Sequence, residues 1–158
     1  MEPSIYSFSL CIALPLMLFF GFYFLFAKTP EKKIFENYLR SRRIMGVALL
    51  LLAANYSVHF FLGIRFQNVN SAILMNLSTY FLCYYLFSSA MITLLDRFYI
   101  TRKRSWTHII LWVIFSILSG VVLLLLPGGT MQKIGLLVLA AWLVIYGLVL
   151  ARRVIVAY

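Results

Sequence analysis

The chain has 158 residues, of which 64% are hydrophobic and only 11% charged, with a net charge of +10 and a mean hydropathy of +0.98. A water-soluble domain carries about 25% charged and about 45–50% apolar residues, so this chain has too little polar surface to cover a soluble globule. Composition therefore excludes a soluble domain and points to an all-α polytopic membrane bundle, one domain over residues 1–158.

Five apolar runs fill the chain, at 5–27, 44–64, 71–95, 109–126 and 134–150. Each is close to the length an α-helix needs to cross about 30 Å of hydrocarbon. The first is preceded by Glu2 and no cation, and its first cation, Lys28, follows it. A signal peptide has the opposite order and a shorter apolar core, so this helix is expected to be retained. Pro15 removes a backbone donor and should kink it. Ser7, Cys11 and Pro15 share one side, expected to face inward.

Thr29, Pro30 and Glu31 have the order of a helix start. Ile34, Phe35, Tyr38 and Leu39 then recur on one face. This predicts a short interfacial helix over about 30–42, lying on the membrane surface. In the second run, Ala48, Asn55, His59 and Gly63 fall within about 80° of one another, at about 100° per residue. In the third, Asn76, Thr79 and Cys83 share one side, while Ser78, Ser89 and Thr93 lie nearer the other. A helix polar on two sides fits poorly at the lipid boundary, so the third run is expected at the centre of the bundle. Phe98, Tyr99 and Trp106 flank Arg102, Lys103 and Arg104 in the next loop, with His108 at the interface. The fourth run clusters Ser116, Ser119 and Gly120. Pro127, Gly128 and Gly129 predict a tight turn into an antiparallel hairpin. The fifth run aligns Ala140, Gly147 and Ala151 as an inward stripe.

The cations divide sharply by side. Lys28, Lys32, Lys33, Arg40, Arg42, Arg43, Arg97, Arg102, Lys103, Arg104, Arg152 and Arg153 fall on one side, and only Arg65 and Lys133 on the other. Cation-rich loops stay cytoplasmic, which places the N-terminus outside and the C-terminus on the cytoplasmic side. The same sidedness accounts for the positive charge without direct nucleic-acid binding by this segment. Lys32, Lys33, Arg40, Arg42, Arg43, Arg102, Lys103 and Arg104 are expected to meet anionic lipid headgroups or a partner. Self-association into a homo-oligomer stays open.

Asn55 and His59 lie one turn apart at mid-membrane and need polar partners. With Asn76, Thr79 and Cys83 they are the candidate ligand-site or helix-interface residues. Two readings remain open: a ligand pocket or protonation switch, or a hydrogen bond across to Asn76, Ser78 or Thr79. Cys11 and Cys83 sit about 10 Å and about 18 Å below the outer edge at about 1.5 Å per residue, too far apart in depth for a disulfide. No metal ligand set, cofactor motif or catalytic signature stands out: there is no glycine-rich phosphate loop, no HExxH and no Gly-x-Ser-x-Gly. No Asp, Glu, Lys or Arg lies well inside a run, unlike ion-coupled transporters. The chain is read as a non-enzyme without cofactor or metal.

The strings YLRSRRIMG at 38–46, NLSTYFL at 76–82, LDRFY at 95–99 and LARR at 150–153 resemble the amino-terminal membrane region of bacterial membrane-bound AraC-type helix-turn-helix regulators. That resemblance implies a membrane sensor or anchor domain passing a signal to a cytoplasmic DNA-binding module that this sequence does not contain. The apolar ending after Arg152 and Arg153 reads as a helix continuing into cytoplasmic sequence. The alternatives are a small transporter or channel subunit, or a structural membrane partner protein.

Overall fold

The computed structural model describes residues 5–126 and 128–158, which form helices and connecting turns with no strand among them. The six α-helices are α1 (Ile5–Phe26), α2 (Glu36–Leu62), α3 (Ile64–Gln67), α4 (Val69–Thr93), α5 (Arg102–Gly120) and α6 (Thr130–Ala157). A 3-10 turn at Lys33–Phe35 leads into α2, and a π-helical stretch at Val121–Leu125 extends α5. Four stretches are long and apolar enough to cross a membrane: Ser7–Phe26, Lys33–Leu62, Arg102–Leu125 and Thr130–Ala157. The fold is all-helical and, by the length and composition of these helices, compatible with a membrane protein. Helix α4 matches the others in length, with 25 residues, but carries Asn70, Ser71, Asn76, Ser78, Thr79, Ser88, Ser89 and Thr93.

The polarity of α4 is answered by its surroundings. It packs against α2 on one hand and against α5, the π-helical stretch and α6 on the other. Asn76 and Cys83 meet α2, whereas Ser78 meets α5. This is the central helix that its two polar sides foretold.

Helices α1 and α2 meet through glycines. A Cβ on Gly46 would lie 2.9 Å from the Gly21 carbonyl oxygen, and one on Gly21 would lie 2.7 Å from Leu50 Cδ2. With no hydrophobic drive between helices in lipid, such close backbone approach supplies the packing. The buried face of α1 is Leu10, Leu14 and Gly21, while Cys11 and Pro15 are exposed, so the expected inward stripe at Ser7, Cys11 and Pro15 gives way. The helix runs on through Pro15.

The expected separate helix at 30–42 is not formed. Residues 27–32 lie outside any helix, and from Glu36 the chain runs unbroken to Leu62. The physical reason is an anchor: Asn37 Nδ2 donates to Leu94 O and Arg40 Nη1 to Arg97 O, each at 3.0 Å, and Ser41 Oγ donates to Ala90 O. The first turns of α2 are thus tied to carbonyls at the end of α4 and in the turn after it rather than laid on the lipid. Thr29 caps nothing; the turn begins at Lys32. Gly63, at φ 57°, ends α2 in the left-handed conformation that glycine adopts without Cβ strain.

On the other side of α4, large rings do the packing. Phe81 stacks between Phe115 (centroids 4.6 Å apart) and Tyr146 (3.9 Å), and Trp142 meets Phe81 and Phe115 edge-on. The buried face of α6 is Leu139, Leu143, Tyr146 and Leu150. Ala140 and Ala151 are exposed, and Gly147 touches Tyr84 instead. The expected small-residue stripe on α6 therefore holds only at Gly147, where a Cβ would lie 3.0 Å from Tyr84 of α4, and the rest of the buried face is made by larger side chains. At the turn, Gly128 and Gly129 precede α6, while Pro127 lies outside the described residues. The π-helical stretch offers carbonyls that the ordinary ladder does not use. Asn70 Nδ2 donates to Leu123 O at 3.1 Å, and Gln132 Nε2 reaches Val122 O and Leu123 O.

Candidate functional site

The mid-membrane candidates come together as a helix junction. Asn55 Nδ2 donates to Asn76 Oδ1 at 3.0 Å, and Cys83 Sγ lies 3.8 Å from Ala48 O. Ala48, Asn55, His59 and Cys83 are all buried, and Thr79 is half-buried. Of the two readings open for Asn55, the hydrogen bond across to Asn76 is the one the geometry carries. His59 is buried one turn further along the same helix. Both cysteines are free thiols, Cys11 exposed and Cys83 buried. On the opposite side of α4, Ser78 Oγ and Ser116 Oγ are 2.9 Å apart, and Trp112 Nε1 donates to Ser78 O at 3.0 Å. These pairs satisfy polar groups that bare hydrocarbon would penalise.

The candidate headgroup residues divide. Lys32, Lys33, Arg43, Arg102 and Lys103 are exposed. Arg40 is exposed but donates to Arg97 O in the turn that follows α4. Arg42 is buried, donates to Ala27 O, and lies 5.6 Å from the Tyr38 ring centroid. Arg104 donates to Tyr99 O, with its guanidinium 4.2 Å from the Tyr99 ring centroid. Arg42 and Arg104 thus serve the protein's own backbone first.

Sequence reasoning missed the main polar focus of the α4–α5–α6 side. His108 is not simply interfacial: it is 7% exposed and sits among aromatic rings. Its Nδ1 is 2.8 Å from the Tyr146 hydroxyl, and its ring stacks on Tyr85 at 4.3 Å. The Tyr85 hydroxyl lies 3.4 Å from Ser105 Oγ. The bond to Tyr146 joins α5 to α6 about six residues, roughly 9 Å, into α5. Close to it, around the start of α5 and the end of α6, two cavities share Arg104 and Arg153. One, of about 280 Å³, is lined by Thr101, Lys103, Arg104, Thr107, His108 and Arg153. The other, of about 630 Å³, adds Tyr99, Arg152 and apolar side chains including Ile92 and Val149. A signal for this focus did exist. His108, Trp112, Phe115 and Ser119 on α5, and Leu139, Leu143, Tyr146 and Leu150 on α6, follow the alternating four-and-three spacing of facing helices.

Among the described residues no group of three or more His, Cys, Asp or Glu side chains is placed to hold a metal ion. Comparison with models of known protein families, with curated proteins and with solved structures yields no match.

Proposed function

We propose that this chain is a membrane-embedded sensor or anchor domain of a regulator, crossing the bilayer five times with its N-terminus outside and its basic loops and C-terminus in the bacterial cytoplasm. The observation that carries the reading is how the interior polar side chains are used. Asn55 and Asn76, and Ser78, Trp112 and Ser116, are spent on one another, as befits helices that must hold a defined arrangement rather than line a path for solutes. In this reading α4, about 37 Å long at about 1.5 Å per residue, is the fifth crossing, shielded from lipid by its neighbours. The cation bias supplies the sidedness. The resemblance to AraC-type regulators suggests transcription as the output, relayed through a cytoplasmic module beyond this sequence.

Deleting the gene in its host, and restoring it, tests the regulatory reading. A discrete set of transcripts should change and recover, while the purified protein in liposomes gives no flux of protons, sodium, potassium or small metabolites. Solute flux with an unchanged transcript profile would favour a transporter and overturn it. A reporter fused after Gly128 tests the sidedness. Activity outside the cytoplasm is expected, and a cytoplasmic signal would contradict it.

A further inference from the structure

We infer that the basic notch between the start of α5 and the end of α6 binds a phosphoryl group. Lys103, Arg104, Arg152 and Arg153 line its two adjoining cavities, which meet at Arg104 and Arg153, and no acidic side chain lines either one. The whole chain has only four Asp and Glu against fourteen Lys and Arg. Four cations gathered around a concavity repel one another unless an anion enters, and no carboxylate among the described residues lines it to serve.

The donors suit phosphate in particular. Arg104 is already oriented, with its guanidinium against the Tyr99 ring and one N–H given to Tyr99 O. A guanidinium carries five N–H donors in a fork that matches phosphoryl oxygens. The Tyr99 hydroxyl is buried and has no hydrogen-bond partner among the described residues; the residue is 8% exposed. It is a phenol donor left without an acceptor at the wall of the larger cavity. Thr101 Oγ1 accepts from Arg104 N, which leaves its O–H free to donate. His108 Nδ1 is committed to Tyr146, which leaves Nε2. Ile92, Val149 and Val156 complete the larger cavity with apolar surface. A phospholipid headgroup and a free phosphate share the required chemistry, and the apolar wall is where an acyl-glycerol portion would lie.

The test uses the full chain in two arms. In nanodiscs of phosphatidylcholine, saturable binding of inorganic phosphate is followed by 31P NMR. In dodecyl maltoside micelles, saturable binding of dioleoyl phosphatidic acid is followed against dioleoyl phosphatidylcholine by native mass spectrometry. Saturation in the phosphatidic acid arm alone assigns a headgroup, saturation in the phosphate arm alone assigns free phosphate, and either one supports the site. In the arm that saturates, Arg153→Gln should weaken binding about tenfold and Arg104→Gln with Arg153→Gln about a hundredfold, from the loss of one and two charge-assisted donors. Tyr99→Phe, which disturbs no bond of the fold, should weaken it about threefold to tenfold. Lys32→Gln with Lys33→Gln, on the other basic loop, should leave it unchanged. No saturation in either arm, or equal weakening by the Lys32–Lys33 pair, would overturn the proposal.

Discussion

The two sides of α4 solve one problem differently. Toward α1 and α2 the helices close through small groups: Gly21 against Gly46, and a side-chain amide pair at Asn55 and Asn76. Toward α5 and α6 they are spaced by Phe81, Phe115, Trp142 and Tyr146, stacked and crossed at centroid distances of 3.9–6.3 Å. Both give contact without a hydrophobic drive, but with different consequences. Backbone against backbone leaves no room between α1 and α2 where they cross. Rings fill the space between their helices, and beyond them, near Tyr99 and His108, cavities open among the arginines. Close backbone packing at Gly21 and Gly46, and the arginine-lined space beyond the rings, thus set the two sides apart.

The sharpest break on the ring side is Phe81→Ala. Phe81 is fully buried, so the change should cost about 3–5 kcal/mol in a reversible unfolding titration from mixed micelles into dodecyl sulfate, while the Asn55–Asn76 junction still forms. On the glycine side, Gly46→Ala forces a Cβ against the Gly21 carbonyl, a backbone atom, and should cost about 1–3 kcal/mol in the same titration. Gly21→Ala meets the Leu50 side chain at 2.7 and 2.8 Å, with backbone no nearer than Leu50 N at 3.4 Å, and should cost less than Gly46→Ala; the reverse order would mean that the α1–α2 crossing lies elsewhere. Tyr146→Phe removes the partner of His108 and should cost about 1 kcal/mol, with the stacking on Phe81 retained in near-ultraviolet circular dichroism. The smallest effect is the coupling of Asn55→Ala with Asn76→Ala, about 0.6 kcal/mol by a double-mutant cycle.

The central position of α4 was legible because polarity on two faces has one economical meaning in a membrane. Asn76 and Cys83 do face α2, and Ser78 does face α5. The α6 stripe holds at Gly147, which meets Tyr84 of α4, and fails at Ala140 and Ala151, because small residues are only one way to pack helices. Ala140 and Ala151 look like an interface until Phe81, Phe115 and Trp142 set the spacing. The stretch at about 30–42 misled for a similar reason. Its amphipathic spacing is compatible with lying on lipid, but Asn37, Arg40 and Ser41 found carbonyls at the end of α4 and in the turn after it, partners 49–57 residues away in sequence. His108 was hidden because its partner, Tyr146, lies 38 residues on, and which ring meets it depends on the register between α5 and α6. No local pattern sets that register, although the shared spacing of the two buried faces points to it.

The central claim is that α4 is the hub, with α2 on one face and α5 on the opposite one. Paired cysteines test it most directly, in a background carrying Cys11→Ala and Cys83→Ala. Ser78→Cys with Ser116→Cys should form a disulfide on mild oxidation, because Ser78 Oγ and Ser116 Oγ are 2.9 Å apart and a cysteine Sγ takes the same position. Asn55→Cys with Asn76→Cys, whose amide tips meet at 3.0 Å, should be joined by a short bis-methanethiosulfonate that makes up for the lost amide length. The account expects both links to form in intact membranes, within one chain and without loss of folded protein. If either pair stays unlinked, or links only between chains, α4 does not sit between α2 and α5 and the hub is wrong.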